Sequence, residues 1–479
     1  MSSRVLRVRN SVPALEDGIA AIQQEQKLDP AFPPAVVAEA VASAREPRLP
    51  ALDRTDLAFI TIDPAGSMDL DQAMHLERDG DGFVVHYAIA DVAAYVTPGG
   101  AIDVEARRRG ESLYGAESKI PLHPKELSEG AASLLPEQTC PAFLWTIKLD
   151  ATGVATDGRV ERALVRSVAR YDYEGVQKQI DSGQADPMLL LLREIGLLRQ
   201  KQEAERGGVS LPMPEQVVDC VPAGGGTSWS LDFRRLLPVE DWNAQISLLT
   251  GFTAARIMVE GKVGILRTLP PADPQAVKRL RRTARGLGID WPGAQEYPDF
   301  IRSLDPEKPH HLAMVTACTS LLRGAGYAGF NGTVPEQPQH AALASAYAHV
   351  TAPLRRLVDR FGLEICAALC AGTPVPAWVL EALPELPDTM RESGRRANAY
   401  ENAVINLVEA ATLQGRIGET FSGVVVEADR EDARKGDAVV RDAAVEAPVS
   451  GSQPLPIGEE LTLTLAEADP ATRKVRFTA

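Results

Sequence analysis

Asp63, Asp69 and Asp71 fall within nine residues of the stretch "FITIDPAGSMDLDQAMHLE", an otherwise apolar run from Phe59 to Glu77. Like charges set this close raise the free energy of the folded chain unless a cation, a proton or bulk water relieves the repulsion. "FITID" has the composition of a strand ending at Asp63, and "PAGS" is turn material. In an extended "MDLDQ" the side chains of Asp69 and Asp71 point the same way, so the three carboxylates can converge on one site. The stretch lacks the glycine and the terminal glutamate of an EF-hand loop. With no cysteine set beside these acids for a softer ion, hard oxygen ligands point to magnesium or manganese. A solvated acidic turn would satisfy the same spacing, and these residues alone do not separate the two.

The elements that must hold such a site come from a chain of 479 residues, 45% of them apolar, enough for one large domain with small ones attached. No apolar run reaches the length of a membrane span, and the first residues do not form a signal peptide, so a cytoplasmic protein is expected, with no membrane partner. Five cysteines, Cys140, Cys220, Cys318, Cys366 and Cys370, have neither disulfide-framework nor zinc spacing. The net charge of −15 excludes indiscriminate binding of polyanions. From Arg256 to Arg285, however, eight basic residues stand against two acids. That island could line a channel or form a solvated helix face.

Along the chain, "SVPALEDGIAAIQQEQ", capped by Ser11, and "PPAVVAEAVASA", opened by Pro34, read as two short helices. The expected division is a short helical segment over 1–50, a mixed α+β domain over 51–413, and over 414–479 a small β-barrel read from alternating strands such as "LTLTLAEADPATRKVRFTA". "TAPLRRLVDRFGLEICAAL" reads as a helix with Pro353 at its first position behind a Thr351 cap, burying Leu354, Val358, Phe361, Ile365 and Leu369.

Several blocks recur in order: "TIDPAGSMDLDQA", "YAIADVAAYVTPGGAIDVEARRRGESLYGAESKIPLHPKELSEGAASLLP", "YAHVTAPLRRLVDR" and "GRRANAYENAV". This ordered set resembles the catalytic RNB domain of the ribonuclease II family of 3'-to-5' exoribonucleases. The resemblance implies processive hydrolysis of single-stranded RNA to nucleoside 5'-monophosphates with magnesium, and a C-terminal OB-fold. It matches Asp63, Asp69 and Asp71 to three of four metal-binding acids, with Asp71 also catalytic. Gln72 occupies the fourth position, where an amide can coordinate through oxygen but brings no charge, weakening one of two metal sites. Arg355 matches the arginine that stabilises the transition state, with Arg356 beside it as an RNA contact or an ion-pair partner. Ala352 and Leu357 depart from the family's usual residues. Glu401 matches a glutamate of the catalytic pocket. Tyr114 matches the tyrosine that positions the last nucleotide, and Tyr173 an aromatic that clamps the 3' end, with Leu211 where a second aromatic is usual. His340 and His349 read as structural histidines.

The expectation is therefore a monomeric exoribonuclease acting on single-stranded RNA and on RNA with 3' overhangs. The few residues ahead of the catalytic region, too short for the two cold-shock barrels of bacterial prototypes, imply a wider RNA entrance able to approach paired segments. A catalytically weakened RNA-binding protein is the alternative that Gln72 raises, and a hydrolase of small phosphate esters is a third.

Overall fold

The computed structural model describes residues 7–8, 13–115, 119–213, 215–223 and 226–479. The Ser11 cap lies outside them. Five strands close a barrel: β1 (Phe59–Asp63), β2 (Gln72–Asp79), β3 (Gly82–Ala90), β4 (Thr139–Leu149) and β5 (Ala155–Asp172). Neighbours in that order pair antiparallel, and β1 closes the ring by running parallel to β5, with Asp63 opposite Asp172. Alternation along β1 sends Ile60 and Ile62 to one side and Phe59 to the other.

The described chain has twelve α-helices, of which the ten longest are α1 (Pro13–Glu25), α2 (Pro34–Arg45), α3 (Ala101–Arg109), α4 (Tyr173–Asp181), α5 (Pro187–Arg206), α6 (Pro238–Gly261), α7 (Pro274–Gly286), α8 (Pro309–Cys318), α9 (Leu357–Ala371) and α10 (Leu386–Leu413). α5 shows how local chemistry sets an element. The Asp186 side chain accepts from the Met188 and Leu189 N–H groups, Pro187 occupies the first position, and Gly207 ends the helix at φ 82°. Ile246 and Leu249 of α6 and Phe361 of α9 join Ile60, Tyr87 and Trp145 in one core.

A second closed barrel follows α10: β6 (Thr420–Ala428), β7 (Lys435–Val440), β8 (Val445–Ser450), β9 (Glu460–Asp469) and β10 (Lys474–Thr478), in the order β6-β7-β8-β10-β9. Its interior is continuous with the rest of the molecule. Phe421, Leu463 and Phe477 pack in one cluster with Ile19 and Ile22 of α1 and Val404, Leu407 and Leu413 of α10. No helix among the described residues is long and apolar enough to cross a membrane.

One expectation needs correction, and one pair of alternatives is decided. The helix that buries Phe361 begins at Leu357, with Arg356 as its N-cap, and Pro353 lies in the turn before it. The Leu354 N–H donates to Asp71 Oδ1 at 2.7 Å and the Ala352 N–H to Asp359 Oδ1 at 2.7 Å, so one carboxylate remote in sequence and one from the first turn of the following helix fix this segment as a loop. Thr351 Oγ1 pairs with Ser247 Oγ at 2.8 Å and serves no cap. The basic island is dispersed, and none of its side chains lines the site cavity. Arg256 pairs with Glu260, Arg267 stacks on Tyr327 at 4.7 Å, and Lys278, Arg279, Arg282 and Arg285 lie exposed on α7. The solvated helix face is the arrangement observed.

Candidate active site

Asp63 ends β1, and Gln72 opens β2 opposite Ile89 of β3, so the acids occupy the link between two barrel strands. That link is pinned from inside. Ser133 Oγ accepts from the Leu70 N–H at 2.9 Å and donates to the Met68 carbonyl at 2.6 Å, while the Ala90 N–H donates to the Asp71 carbonyl at 2.9 Å. These backbone hydrogen bonds hold the segment that carries the carboxylates.

They line a cavity of about 590 Å³, large enough for a nucleotide. Its wall includes Asp63, Asp69, Asp71 and Gln72 from the barrel, Tyr114 and Tyr173 at its sides, Arg355 and Arg356 from the loop before α9, and Glu401 from α10. All nine residues singled out from the sequence thus meet at one place. Topology explains the convergence. The Ser112 N–H donates to the Arg355 carbonyl at 2.9 Å and the Leu357 N–H to the Gly110 carbonyl at 2.9 Å, which brings the segment carrying Tyr114 beside the arginine loop.

Each acid has its own surroundings. Asp71 is only 5% exposed, and burial pushes its carboxyl up to about 8 against the opposing pull of Arg355 and the Leu354 N–H. Arg355 Nε lies 3.4 Å from Asp71 Oδ2, with the arginine side chain still 48% exposed and able to reach a ligand. Burial also raises Asp63, to about 6, with Asp69 adding to the rise and Arg355 opposing it. Asp69 is paired with Lys119, whose Nζ lies 2.9 Å from its Oδ2. Among the described residues no three histidines, cysteines or acids are gathered into a metal cage. The expected convergence is therefore one of cavity, with Asp69 drawn toward Lys119 and Asp71 toward Leu354 and Arg355.

Gln72 differs from the expectation that it offers an oxygen to a cation. Its Nε2 donates to the Thr351 carbonyl at 2.6 Å, and its Oε1 accepts from the Tyr87 hydroxyl. The amide thus ties β2 to the arginine loop. Arg356 is held by Asp359, which is fully buried, through Nη2 at 2.9 Å and also through Nε. Tyr173 heads α4 behind an Asp172 cap, and its hydroxyl accepts from Asn243 Nδ2 at 3.1 Å. Glu401 is raised to about 7 by burial, and the charge of Glu111 adds to the shift. Leu211 packs in the cluster of α7 and α8, away from the cavity. The His349 ring meets the Tyr327 hydroxyl at 2.7 Å inside the protein.

Sequence reasoning passed over Lys119, Glu111 and Asn243. Lys119 and Glu111 stand inside the block "GESLYGAESKIP" without a spacing that marks them, and Asn243 reaches the site from α6. A magnesium ion commonly takes one or two protein carboxylates and completes its shell with water and phosphate. The oxygen-only donors here, with Asp63 in no ion pair among the described residues, fit such an ion.

A helix-braced barrel with an acid-and-arginine cavity, joined to a second five-stranded barrel, defines a class known from solved structures. Mycoplasma genitalium RNase R in complex with ribose methylated single-stranded RNA superposes with a TM-score of 0.84 at 20% identity, covering 96% of this chain and 77% of that one. Yeast Ssd1, a pseudonuclease, superposes with a TM-score of 0.71 at 16% identity, covering 91% and 55%. In sequence, residues 52–365 match the RNB domain and residues 419–479 the RNase II-type exonuclease C-terminal S1 domain. The chain belongs to the RNB family of ribonuclease II-type proteins, and the second barrel is its S1 domain of OB-fold type. An uncharacterized ribonuclease of Synechocystis is 25% identical over 430 residues, covering 89% of this chain and 59% of that protein. Ribonuclease R of Escherichia coli is 26% identical over 409 residues, covering 78% and 48%. The chain spans about half the length of the curated relatives it matches.

Proposed function

We propose that this protein is a metal-dependent exoribonuclease that hydrolyses RNA processively from the 3' end and releases nucleoside 5'-monophosphates. The observation that carries the reading is the single cavity in which three carboxylates, Arg355, two tyrosines and Glu401 face one another. A planar guanidinium suits the charge that develops on phosphoryl oxygens, and the exposure of Arg355 leaves its donors free to meet one. Asp71, fixed by the Leu354 N–H, holds that guanidinium in place. Half-exposed Tyr114 offers a face for the last nucleotide, and Tyr173, oriented by Asn243, grips the other side. Glu401 and Glu111 supply oxygens for ribose hydroxyls. Asp63, with Asp71 and Asp69 beside it, would hold magnesium or manganese, which supplies Lewis acidity at the phosphate when bound. Water adds to phosphorus as the bond to the 3' oxygen of the preceding nucleotide breaks, so the phosphate leaves on the 5' oxygen of the released unit.

The partners we propose are single-stranded RNA and RNA with a 3' overhang, bound by a monomer. Related folds support this range, since Mycoplasma genitalium RNase R has been solved with single-stranded and with double-stranded RNA. The free thiols Cys140, Cys318 and Cys366, all buried, suit the reducing cytoplasm we propose as its setting.

The second reading, an RNA-binding protein with little turnover, is favoured by the neutral Gln72, whose amide is engaged at both ends, and by the fold shared with a pseudonuclease. Oligonucleotides labelled at the 5' end, with a free or phosphate-blocked 3' terminus, separate the two. The nuclease reading expects a ladder shortening from the free 3' end and protection by the block. Binding without shortening would support the second reading.

A further inference from the structure

Lys119 lies beside the acid cluster between two carboxylates. Its Nζ lies 2.9 Å from Asp69 Oδ2 and 2.9 Å from Glu129 Oε1, and the three side chains are 20%, 20% and 23% exposed. It sits on the short strand Lys119–Ile120, directly across from Tyr114, which lines the cavity. Glu129 comes from the turn of helix Leu127–Ala131. An ammonium held at this depth by two carboxylates is a fixed charge, because freeing any one of the three leaves a poorly solvated ion behind.

Asp63, Asp69 and Asp71 supply three formal negative charges, Gln72 supplies none, and the two ends of its amide are already engaged by Thr351 and Tyr87. Lys119 is seated on Asp69, and Arg355 lies against Asp71. Two divalent ions would bring four positive charges to three carboxylates that already carry two resident cations. One divalent ion at Asp63 leaves the cluster close to neutral, which a half-buried site favours.

We propose that Lys119 is a resident cation that occupies Asp69, so that the site of this chain takes a single divalent ion where a fourth aspartate and a free Asp69 would admit two. Lys119 acts here as a positioning residue. The inference rests on the metal-dependent reading above and concerns how many ions that reading requires.

Manganese counting by electron paramagnetic resonance tests it on the chelator-treated full chain without RNA, so that hydrolysis does not enter the readout. The parent should bind one Mn2+ per chain. Lys119→Met should tighten binding at least about threefold, since an uncompensated carboxylate then faces the ion, and Lys119→Met combined with Gln72→Asp should bind two. Lys119→Arg, which keeps the charge, should still bind one. Glu129→Gln removes the other partner of Lys119, leaves its charge to Asp69 alone and should shift affinity in the opposite direction to Lys119→Met, toward weaker binding, which provides a readout if the latter does not fold. Two ions in the parent, or one ion with unchanged affinity in every variant, would overturn the inference and leave the exoribonuclease reading intact. No bound ion in any protein would overturn both.

Discussion

Glu401 has a carboxyl whose titration reaches beyond its own position. Burial, reinforced by Glu111, raises it to about 7 in the folded protein, against an unfolded value near the ordinary carboxylate range. Between those values the folded chain holds a proton that the unfolded chain has lost. This contribution to stability is fully present below the unfolded value and is lost as pH rises through about 7. Glu401→Gln, neutral at every pH, should therefore melt above the metal-free parent at pH 8, by about 1 °C for an effect near 1 kcal/mol in a chain of this length, and the difference should vanish below about pH 4, under the unfolded value. Thermal denaturation in chelator checks both ends. An equal shift at the two pH values would show that Glu401 titrates like an exposed acid.

At the scale of elements, the loop from Thr351 to Arg356 decides where the arginines stand, and Asp359 decides the loop. Its carboxylate, inside the first turn of α9, accepts from the Ala352 N–H and from Arg356 with no exposure to water. Breaking one side of a buried pair costs about 3–5 kcal/mol, because the remaining charge loses its partner. Asp359→Ala should lower the urea midpoint by the equivalent of that figure and reduce turnover through misplaced Arg355. A loss below about 1 kcal/mol, the worth of an exposed pair, would contradict the role given to Asp359. The same loop marks where sequence reading stops. Spacing is enough to single out Asp63, Asp69 and Asp71, the resemblance to the ribonuclease II family is needed for Arg355, and alternation is enough for the C-terminal barrel. The helix does not start at Pro353 because Asp71, far away in sequence, and Asp359 take the Leu354 and Ala352 N–H groups and hold the segment as a loop. Closure of the first barrel was missed for a related reason, since the parallel pairing of β1 with β5 joins segments about a hundred residues apart and carries no local signature. Lys119 and Asn243 escaped notice because their partners are set by packing.

At the scale of the whole molecule, the two barrels share hydrophobic interior. Ile19 and Ile22 of α1, Val404 and Leu407 of α10, and Phe421 and Phe477 of the second barrel form one cluster, so unfolding either part exposes apolar surface of the other. Calorimetry should show one cooperative transition with no separate melting of residues 419–479, whereas two resolved transitions would mean that the shared cluster contributes little. Charge is divided differently from the core. The chain carries a net −15, yet α7 exposes Lys278, Arg279, Arg282 and Arg285, and Arg355 brings a half-exposed guanidinium to the cavity.

The central claim is that the cavity of Asp63, Asp69, Asp71 and Arg355 cuts RNA one nucleotide at a time. It is tested most directly by a time course of poly(A) digestion in magnesium, resolved by chromatography, for the parent, the parent in chelator and Asp71→Asn. The account expects 5'-AMP as the dominant product from the earliest times, none in chelator, and a loss of about a hundredfold or more in Asp71→Asn with RNA affinity largely kept. Intact poly(A) with the parent, or Asp71→Asn within about threefold of it, would contradict the account.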